Sequence, residues 1–251
     1  MIYFTKEQPM NRTRIFKIFF FPAFVFLMTG CAAVKTAPTV TPTPAPTLIP
    51  SPTYTATPAF PLPEGAIIFE IEPTRKFAGH VTGKGETAII LANMGQGGEA
   101  QWDPFVSAVD KDKFTVITFN YLQPDYSGAP QAVLTVFGRL REVGYKRIVC
   151  MGASLGVSAC GSISLEPEMA GIVSIAGPNL AGANSATYPK LFIAAEGDTW
   201  SASTNADYKS AAEPKQLVLY KDTSIHGTGL FYSQYREQII KALVDFVNSL
   251  S

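Results

Sequence analysis

The chain has 251 residues with 20 basic and 20 acidic side chains, so it is long enough for one sizeable domain and carries no formal net charge at pH 7. This balance argues against an extended basic surface for nucleic acid. Two histidines in the whole chain, and no cysteine pair at zinc-site spacing, argue against a metal centre. Any chemistry is therefore expected to use organic side chains, with no metal and no cofactor.

Residues 1–30 are predicted to be a targeting segment rather than part of the fold. Arg12, Arg14 and Lys17 form a basic region, and an apolar run over 18–28 follows them. That run has the length of a signal-peptide core and is short for a membrane span.

The end of this segment, Leu27-Met28-Thr29-Gly30-Cys31, resembles the lipobox of bacterial lipoproteins, although Met28 stands where leucine is usual. The resemblance implies cleavage before Cys31, lipid attachment to its sulfur, and anchoring to the outer face of a bacterial cell membrane. The alternative is an ordinary secretory signal followed by an incidental cysteine, which would give a secreted protein.

Residues 31–64 are predicted to be the lipidated cysteine and a linker. Between Lys35 and Pro63 the chain has nine prolines and eight threonines and almost no charge. Such a composition cannot bury a core and favours extended conformations. The folded domain is therefore expected over 65–251, and a monomer is expected.

Apolar runs of strand length alternate with longer amphipathic stretches throughout this domain. Strands are predicted at 66–72, 77–82, 87–92, 114–119, 146–151, 171–175, 190–195 and 216–220, and helices at 99–109, 129–143, 154–164, 203–212 and 232–248. The pattern predicts an α/β fold, with two antiparallel opening strands in a mostly parallel sheet of about eight strands and helices on both faces. The interval between 175 and 190 has no amphipathic helix, and no cap domain is expected.

Gly152-Ala153-Ser154-Leu155-Gly156 matches G-x-S-x-G between a predicted strand and a predicted helix. In that position a serine sits in a strained turn, and the glycines two residues to either side remove side chains that would clash. The alternative is a small residue in a tight turn. A nucleophilic serine needs a base, usually a histidine oriented by a carboxylate.

His226 is the only histidine downstream of Ser154, and it lies in the loop after the last predicted strand. The acid is expected after a strand between the two. Asp198 is preferred, with Glu196 as the alternative because the two carboxylates are only two residues apart. His80 lies upstream in an opening strand and lacks such a context. The order Ser154, Asp198, His226 is the one described for α/β-hydrolases.

With the motifs GASLG, FIAAEGD and SIHGTG, the chain from about Gly65 onward resembles α/β-hydrolases, close to the small, lidless dienelactone-hydrolase and esterase-like members. The resemblance implies a carboxylesterase-like serine hydrolase that acts on a small-molecule ester through an acyl enzyme. A peptidase, thioesterase or perhydrolase would use the same triad, and an inactive surface binding lipoprotein is the rival from another class.

The stretch IILANMGQGG resembles the strand and loop that usually carry a His-Gly oxyanion motif, but Asn93-Met94 stands in its place. By position, the backbone amide of Met94 or Gly95 would pair with that of Leu155 to form an oxyanion hole.

Three aromatic residues follow strands or flank the triad and are candidates for substrate binding, with ordinary rim packing as the alternative: Tyr121, Trp200 and Phe231. Cys150 and Cys160 are expected to be buried, small apolar residues rather than a disulfide.

Overall fold

The computed structural model describes residues 60–95, 97–122 and 126–250. All of them belong to a compact unit that spans Pro52–Ser251. The predicted signal segment, the lipidation site Cys31 and the linker up to residue 59 lie outside the described residues and stay predictions. Within the part that is described, no helix is both long and apolar enough to cross a membrane.

The last five residues of the predicted linker, 60–64, pack against the domain. Leu62 is buried, and its backbone N–H donates to the Tyr145 hydroxyl at 3.3 Å. The Glu64 carboxylate accepts the Gly83 N–H at 2.6 Å. Contacts with the domain therefore include residues that precede the first strand.

Strands and helices alternate along the chain, as the sequence predicts. The strands are β1 (Gly65–Glu72), β2 (Arg75–Thr82), β3 (Thr87–Ala92), β4 (Phe114–Phe119), β5 (Arg147–Ala153), β6 (Met169–Ile175), β7 (Lys190–Ala195) and β8 (Lys215–Tyr220). The α-helices are α1 (Asp103–Ala108), α2 (Ala129–Val143), α3 (Leu155–Gly161), α4 (Ser201–Ser210) and α5 (Arg236–Asn248). Short 3₁₀ helices cover Glu99–Trp102, Tyr126–Gly128 and Gly227–Tyr232.

The eight strands form one sheet in the order β1-β2-β4-β3-β5-β6-β7-β8. β1 and β2 are antiparallel to each other, β2 is antiparallel to β4, and all later neighbours are parallel. The predicted fold class is confirmed. Because β3 to β8 run in one direction, their carboxyl ends meet at one edge of the sheet, where ligands bind in such folds.

Helices cover both faces of the sheet. Strands β3 and β7 are buried at every position, which explains their continuous apolar runs. On one face the core includes residues of α2 and α3, and on the other it includes residues of α1 and α5. The connection between β6 and β7 contains turns and no helix, as predicted.

The prediction for the two cysteines of the β5–α3 segment is wrong, because Cys150 and Cys160 form a disulfide. Both residues are buried, as expected. The tight turn between β5 and α3 folds the helix back onto the strand and brings the two Cα atoms to 5.8 Å, within the usual range for a disulfide. Export to an oxidising compartment, which the N-terminus predicts, is the signal that favours this bond.

Candidate active site

Ser154 occupies the turn between β5 and α3, and its backbone conformation is strained. Its φ is 52° and its ψ is −114°, in a region that L-residues rarely adopt. The Ser154 N–H donates to the Ile175 carbonyl at 2.9 Å, and the Ser154 carbonyl accepts from the Val157 N–H at 3.0 Å. The turn is thus fixed on one side to the end of β6 and on the other to the first turn of α3.

The glycines two residues before and after Ser154 are required by close backbone approach. A β-carbon at Gly152 would lie 2.3 Å from the Gly156 carbonyl oxygen. One at Gly156 would lie 2.1 Å from the Ala92 carbonyl oxygen, at the end of β3. Neither distance leaves room for a carbon atom, so the G-x-S-x-G spacing follows directly from the packing of this turn.

Asp198 and His226 lie in the loops that follow β7 and β8, and their side chains are in contact. His226 Nδ1 is 2.8 Å from Asp198 Oδ2 and 3.1 Å from Oδ1. The aspartate side chain is 1% exposed and the histidine side chain 38% exposed. The Trp200 N–H also donates to Asp198 Oδ1 at 2.9 Å, which fixes the carboxylate. A buried carboxylate therefore orients an imidazole that still reaches the surface.

The alternative acid, Glu196, is exposed and lies in a surface depression with Asp222, Thr223 and Ser224. The structure brings Asp198, and not Glu196, to His226.

The loops that carry Ser154 and His226 also lie close together. Gly227 follows His226 directly, and a β-carbon at Gly227 would lie 3.9 Å from Cβ of Ala153, the residue before Ser154. His80 is exposed on β2, separated from β5 by β4 and β3.

The loop after β3 contains Met94 and Gly95, the two candidates for the first oxyanion donor. A β-carbon at Gly95 would lie 3.8 Å from the Leu155 side chain, so this loop borders the residue after Ser154. The Met94 N–H donates to Gln101 Oε1 at 3.3 Å.

Two polar side chains, whose part in this loop is not evident from sequence, fix Asn93 at its start. The buried Asn93 amide donates to the Phe119 carbonyl at 2.5 Å, while the Tyr121 hydroxyl donates to the Asn93 carbonyl at 3.1 Å. Burial raises the pKa of the Tyr121 hydroxyl well above its ordinary value, so it stays protonated as a donor. Residues two apart in an extended chain point to the same face, so Tyr121 is expected to point the same way as Phe119, the apolar last residue of β4. This spacing is the feature of the sequence that indicates a buried Tyr121 side chain.

The three aromatic candidates for substrate binding differ in exposure. Tyr121 is 5% exposed, and Phe231 is fully buried, with its ring 5.5 Å from that of Trp102. The side chains of Tyr121 and Phe231 are therefore buried and do not line the surface of the site. Trp200, directly beside the aspartate loop, is 39% exposed.

No protein-family model and no curated protein matches the sequence. Many solved structures are similar to it in fold. A thermophilic esterase from Thermogutta terrifontis is 12% identical, with a TM-score of 0.60 over 74% of this chain and 98% of that one. A dienelactone hydrolase from Anabaena variabilis is 15% identical, with a TM-score of 0.60 over 75% of this chain and 96% of the other. A proline iminopeptidase from Mycobacterium smegmatis is 12% identical, with a TM-score of 0.58 over 74% and 98%. The chain has the α/β-hydrolase fold.

Proposed function

We propose that the protein is a serine hydrolase of the carboxylesterase type, with Ser154 as nucleophile, His226 as general base and Asp198 as the carboxylate that orients it. The observation that carries this proposal is the contact between the buried Asp198 and His226, at the sheet edge where the strained Ser154 turn also lies. The esterases and the dienelactone hydrolase among the structures of similar fold support the same class of reaction.

The contact between Asp198 and Nδ1 determines which imidazole nitrogen takes part in proton transfer. With Nδ1–H donating to the carboxylate, Nε2 is the basic atom and accepts the proton of the Ser154 hydroxyl as the oxygen attacks an ester carbonyl. The imidazolium then gives that proton to the alkoxide oxygen as the bond to the carbonyl carbon breaks, and the alcohol leaves. In the second half, His226 takes a proton from a water molecule that attacks the acyl enzyme, and returns it to the Ser154 oxygen as the acid leaves. Asp198 stabilises the positive charge that forms on the ring.

Backbone amides stabilise the negative oxygen of the tetrahedral intermediate. Leu155 N–H is one donor, because it follows the nucleophile directly at the start of α3. The second donor is Gly95 N–H rather than Met94 N–H, since the latter is already bonded to Gln101. Each such donor contributes roughly 3 kcal/mol in comparable enzymes.

We expect small or exposed esters to be the substrates. No cap domain is inserted between the described strands, and the aromatic side chain exposed beside Asp198 is that of Trp200. Amide and thioester bonds use the same machinery, and a proline iminopeptidase has a similar fold. An ester is preferred because an alkoxide is a better leaving group than the anion of an amine, so its departure depends less on proton transfer from the imidazolium.

We also propose that this domain works outside the cytoplasm, attached to the cell membrane through a lipid on Cys31. The lipobox-like junction and the linker support export, and the buried Cys150–Cys160 disulfide supports it independently, because such bonds form in oxidising compartments. Replacement of Cys31 with serine should release the protein from the membrane fraction. Unchanged membrane association of Cys31→Ser would contradict lipid anchoring at this residue.

Hydrolysis of p-nitrophenyl acetate tests the enzymatic proposal. The wild-type protein should turn the ester over, and Ser154→Ala should lower kcat at least about a thousandfold. Asp198→Asn should lower it by a comparable factor, because an amide favours the wrong histidine tautomer. Ser158→Ala, one turn further along α3, is the matched control and should retain activity. Undiminished turnover by Ser154→Ala would exclude Ser154 as the nucleophile.

A further inference from the structure

Three consecutive residues of the 3₁₀ helix Glu99–Trp102 contact the 3₁₀ helix that follows His226. The Ala100 carbonyl accepts from the Tyr232 hydroxyl at 3.1 Å. Gln101 Oε1 accepts from the Thr228 hydroxyl at 3.0 Å, and Trp102 packs its ring against Phe231. The segment after the oxyanion loop is therefore attached to the segment after the histidine at three successive positions.

Gln101 is the residue of this contact that also reaches the oxyanion loop. Its Oε1 accepts from the Met94 N–H at 3.3 Å as well as from Thr228, so a single oxygen joins the two loops. The Nε2 end of the same side chain lies against Gly97, where a β-carbon would approach to 2.8 Å. Thr228 is 2% exposed, which protects its hydrogen bond from competition with water.

Packing holds the same two loops together from the other side. Gly227 has a φ of 53°, and a β-carbon there would lie 2.4 Å from the Met94 sulfur. The Met94 side chain thus fills the space beside Gly227, while the Met94 N–H faces Gln101. A shift of the oxyanion loop would therefore change the contact between the Met94 side chain and the residue next to His226.

We infer that Gln101 is a positioning residue that fixes the Met94–Gly95 loop and the His226 loop in one arrangement, so that the oxyanion donor and the general base keep their places relative to each other. The inference rests on the proposed serine-hydrolase function. Gln101 does not touch the reacting atoms; it acts through the Met94 amide and the Thr228 hydroxyl. Since misplacement of a catalytic group by about 1 Å can slow a reaction about a hundredfold, its loss should affect turnover more than substrate binding.

The test compares four variants of the full-length protein in p-nitrophenyl acetate hydrolysis, with thermal unfolding as a check of the fold. Gln101→Met keeps the length of the side chain and removes the acceptor, and it should lower kcat about 10- to 100-fold with KM changed less than about threefold. Thr228→Val removes the partner hydroxyl and should lower kcat in the same way. Thr228→Ser keeps that hydroxyl, so its kcat should fall less than the kcat of Thr228→Val. Gln131→Met, at an exposed site on α2, is the matched control and should retain wild-type kcat.

The double variant Gln101→Met/Thr228→Val separates a shared role from two unrelated losses. If both residues act through one hydrogen bond, the double variant should lose little more than Gln101→Met alone. A double variant whose kcat falls by the product of the two single-variant factors would overturn the inference. Wild-type kcat in a folded Gln101→Met variant would also overturn it.

If Gln101→Met does not fold, the comparison of Thr228→Val with Thr228→Ser decides, and equal kcat values in these two variants would overturn the inference. Absence of turnover in the wild-type protein would overturn the proposed function itself, whereas an active wild-type enzyme with an equally active Gln101→Met would overturn the positioning role alone.

Discussion

The turn that carries Ser154 (residues 150–160, called the nucleophile turn after its proposed role) and the loop after β3 (residues 93–95, called the oxyanion loop after its proposed role) meet beside Ser154, but different forces hold them. The turn is fixed by backbone contacts that leave no room for a β-carbon at Gly152 or Gly156, and by the Cys150–Cys160 disulfide. The oxyanion loop is fixed by hydrogen bonds from and to side chains, among them those of Asn93, Tyr121 and Gln101.

This difference predicts two kinds of response to mutation. Steric repulsion rises steeply with overlap, so the nucleophile turn should fail when a single carbon atom is added. A hydrogen bond contributes only about 1 kcal/mol net, so the oxyanion loop should respond in small steps. We therefore expect the turn to tolerate no added side chain, and the oxyanion loop to be the part of the proposed site where substitutions change activity in small steps.

The largest effect is expected from Gly156→Ala. Its β-carbon would lie 2.1 Å from the Ala92 carbonyl oxygen, so either the end of β3 or the start of α3 would have to shift. We expect a loss of more than about 3 kcal/mol in the free energy of unfolding, measured by urea denaturation. Gly138→Ala in α2 is the control, because no atom other than those of its chain neighbours and its own helix backbone lies within 4 Å of the added carbon. Equal stabilities of the two variants would show that the turn tolerates a side chain.

Removal of the disulfide should have the next largest effect. The Cys150→Ala/Cys160→Ala variant loses a cross-link between residues ten apart in sequence, and the free energy of unfolding should fall by about 2.5 to 3 kcal/mol. When the wild-type protein is unfolded and then refolded with a reducing agent present, its free energy of unfolding should fall by a similar amount. The reducing agent should not change the free energy of unfolding of the double variant. If the wild-type protein did not respond to the reducing agent, the cross-link would not contribute to its stability.

A smaller effect is expected from Tyr121→Phe, because the Tyr121 hydroxyl supports the oxyanion loop from the segment after β4. The change leaves the Asn93 carbonyl without this donor and should cost about 1 to 2 kcal/mol of stability. Since the loop carries the Met94 and Gly95 amides, kcat for p-nitrophenyl acetate should also fall severalfold. Tyr188→Phe removes a comparable bond to the Ser164 carbonyl, away from the site. It should cost similar stability with no change in kcat, and a matching loss of kcat would contradict a specific role for Tyr121.

The smallest effect is expected at Asp207, which accepts a hydrogen bond from the connection between β6 and β7. Its carboxylate accepts the Leu180 N–H at 2.9 Å, and burial raises its pKa. A carboxyl with a raised pKa binds its proton more tightly in the folded state, so this group favours folding most at low pH. Its contribution is lost as pH rises from the unfolded pKa through the folded one.

Asp207→Asn keeps an acceptor for the Leu180 N–H and cannot ionise. Thermal unfolding between pH 4 and pH 7 should therefore show a slightly smaller fall in stability with rising pH in Asp207→Asn than in the wild-type protein. A steeper fall in the variant would contradict a raised pKa of the Asp207 carboxyl.

The nucleophile turn could be predicted from sequence because its requirements are local. Glycines at fixed spacing around a serine, between an apolar strand and a helix, express the steric demands of one turn, and the ends of β7 and β8 indicate where Asp198 and His226 lie. The choice between Asp198 and Glu196 needed the structure, since both follow the same strand and only the direction of their side chains differs.

The contacts that fix the oxyanion loop could not be predicted because they join distant parts of the chain. Gln101 and Thr228 are 127 residues apart, and no local pattern in either segment indicates the other. The disulfide is close in sequence, but it depends on the angle at which α3 folds back on β5, which apolar periodicity does not report. Phe231 was misleading for a similar reason: its place beside the histidine loop suggested a pocket, whereas its ring faces Trp102 in the core.

The role of Ser154 as the nucleophile is best decided by locating the covalent adduct of a fluorophosphonate on the full-length protein. Serine hydrolases react with such a probe through the nucleophilic oxygen that attacks the substrate. Peptide mapping by mass spectrometry should place one adduct on Ser154, and labelling should disappear in Ser154→Ala and fall strongly in Asp198→Asn. An unlabelled wild-type protein, or an adduct that persists in Ser154→Ala, would contradict a serine hydrolase that works through Ser154.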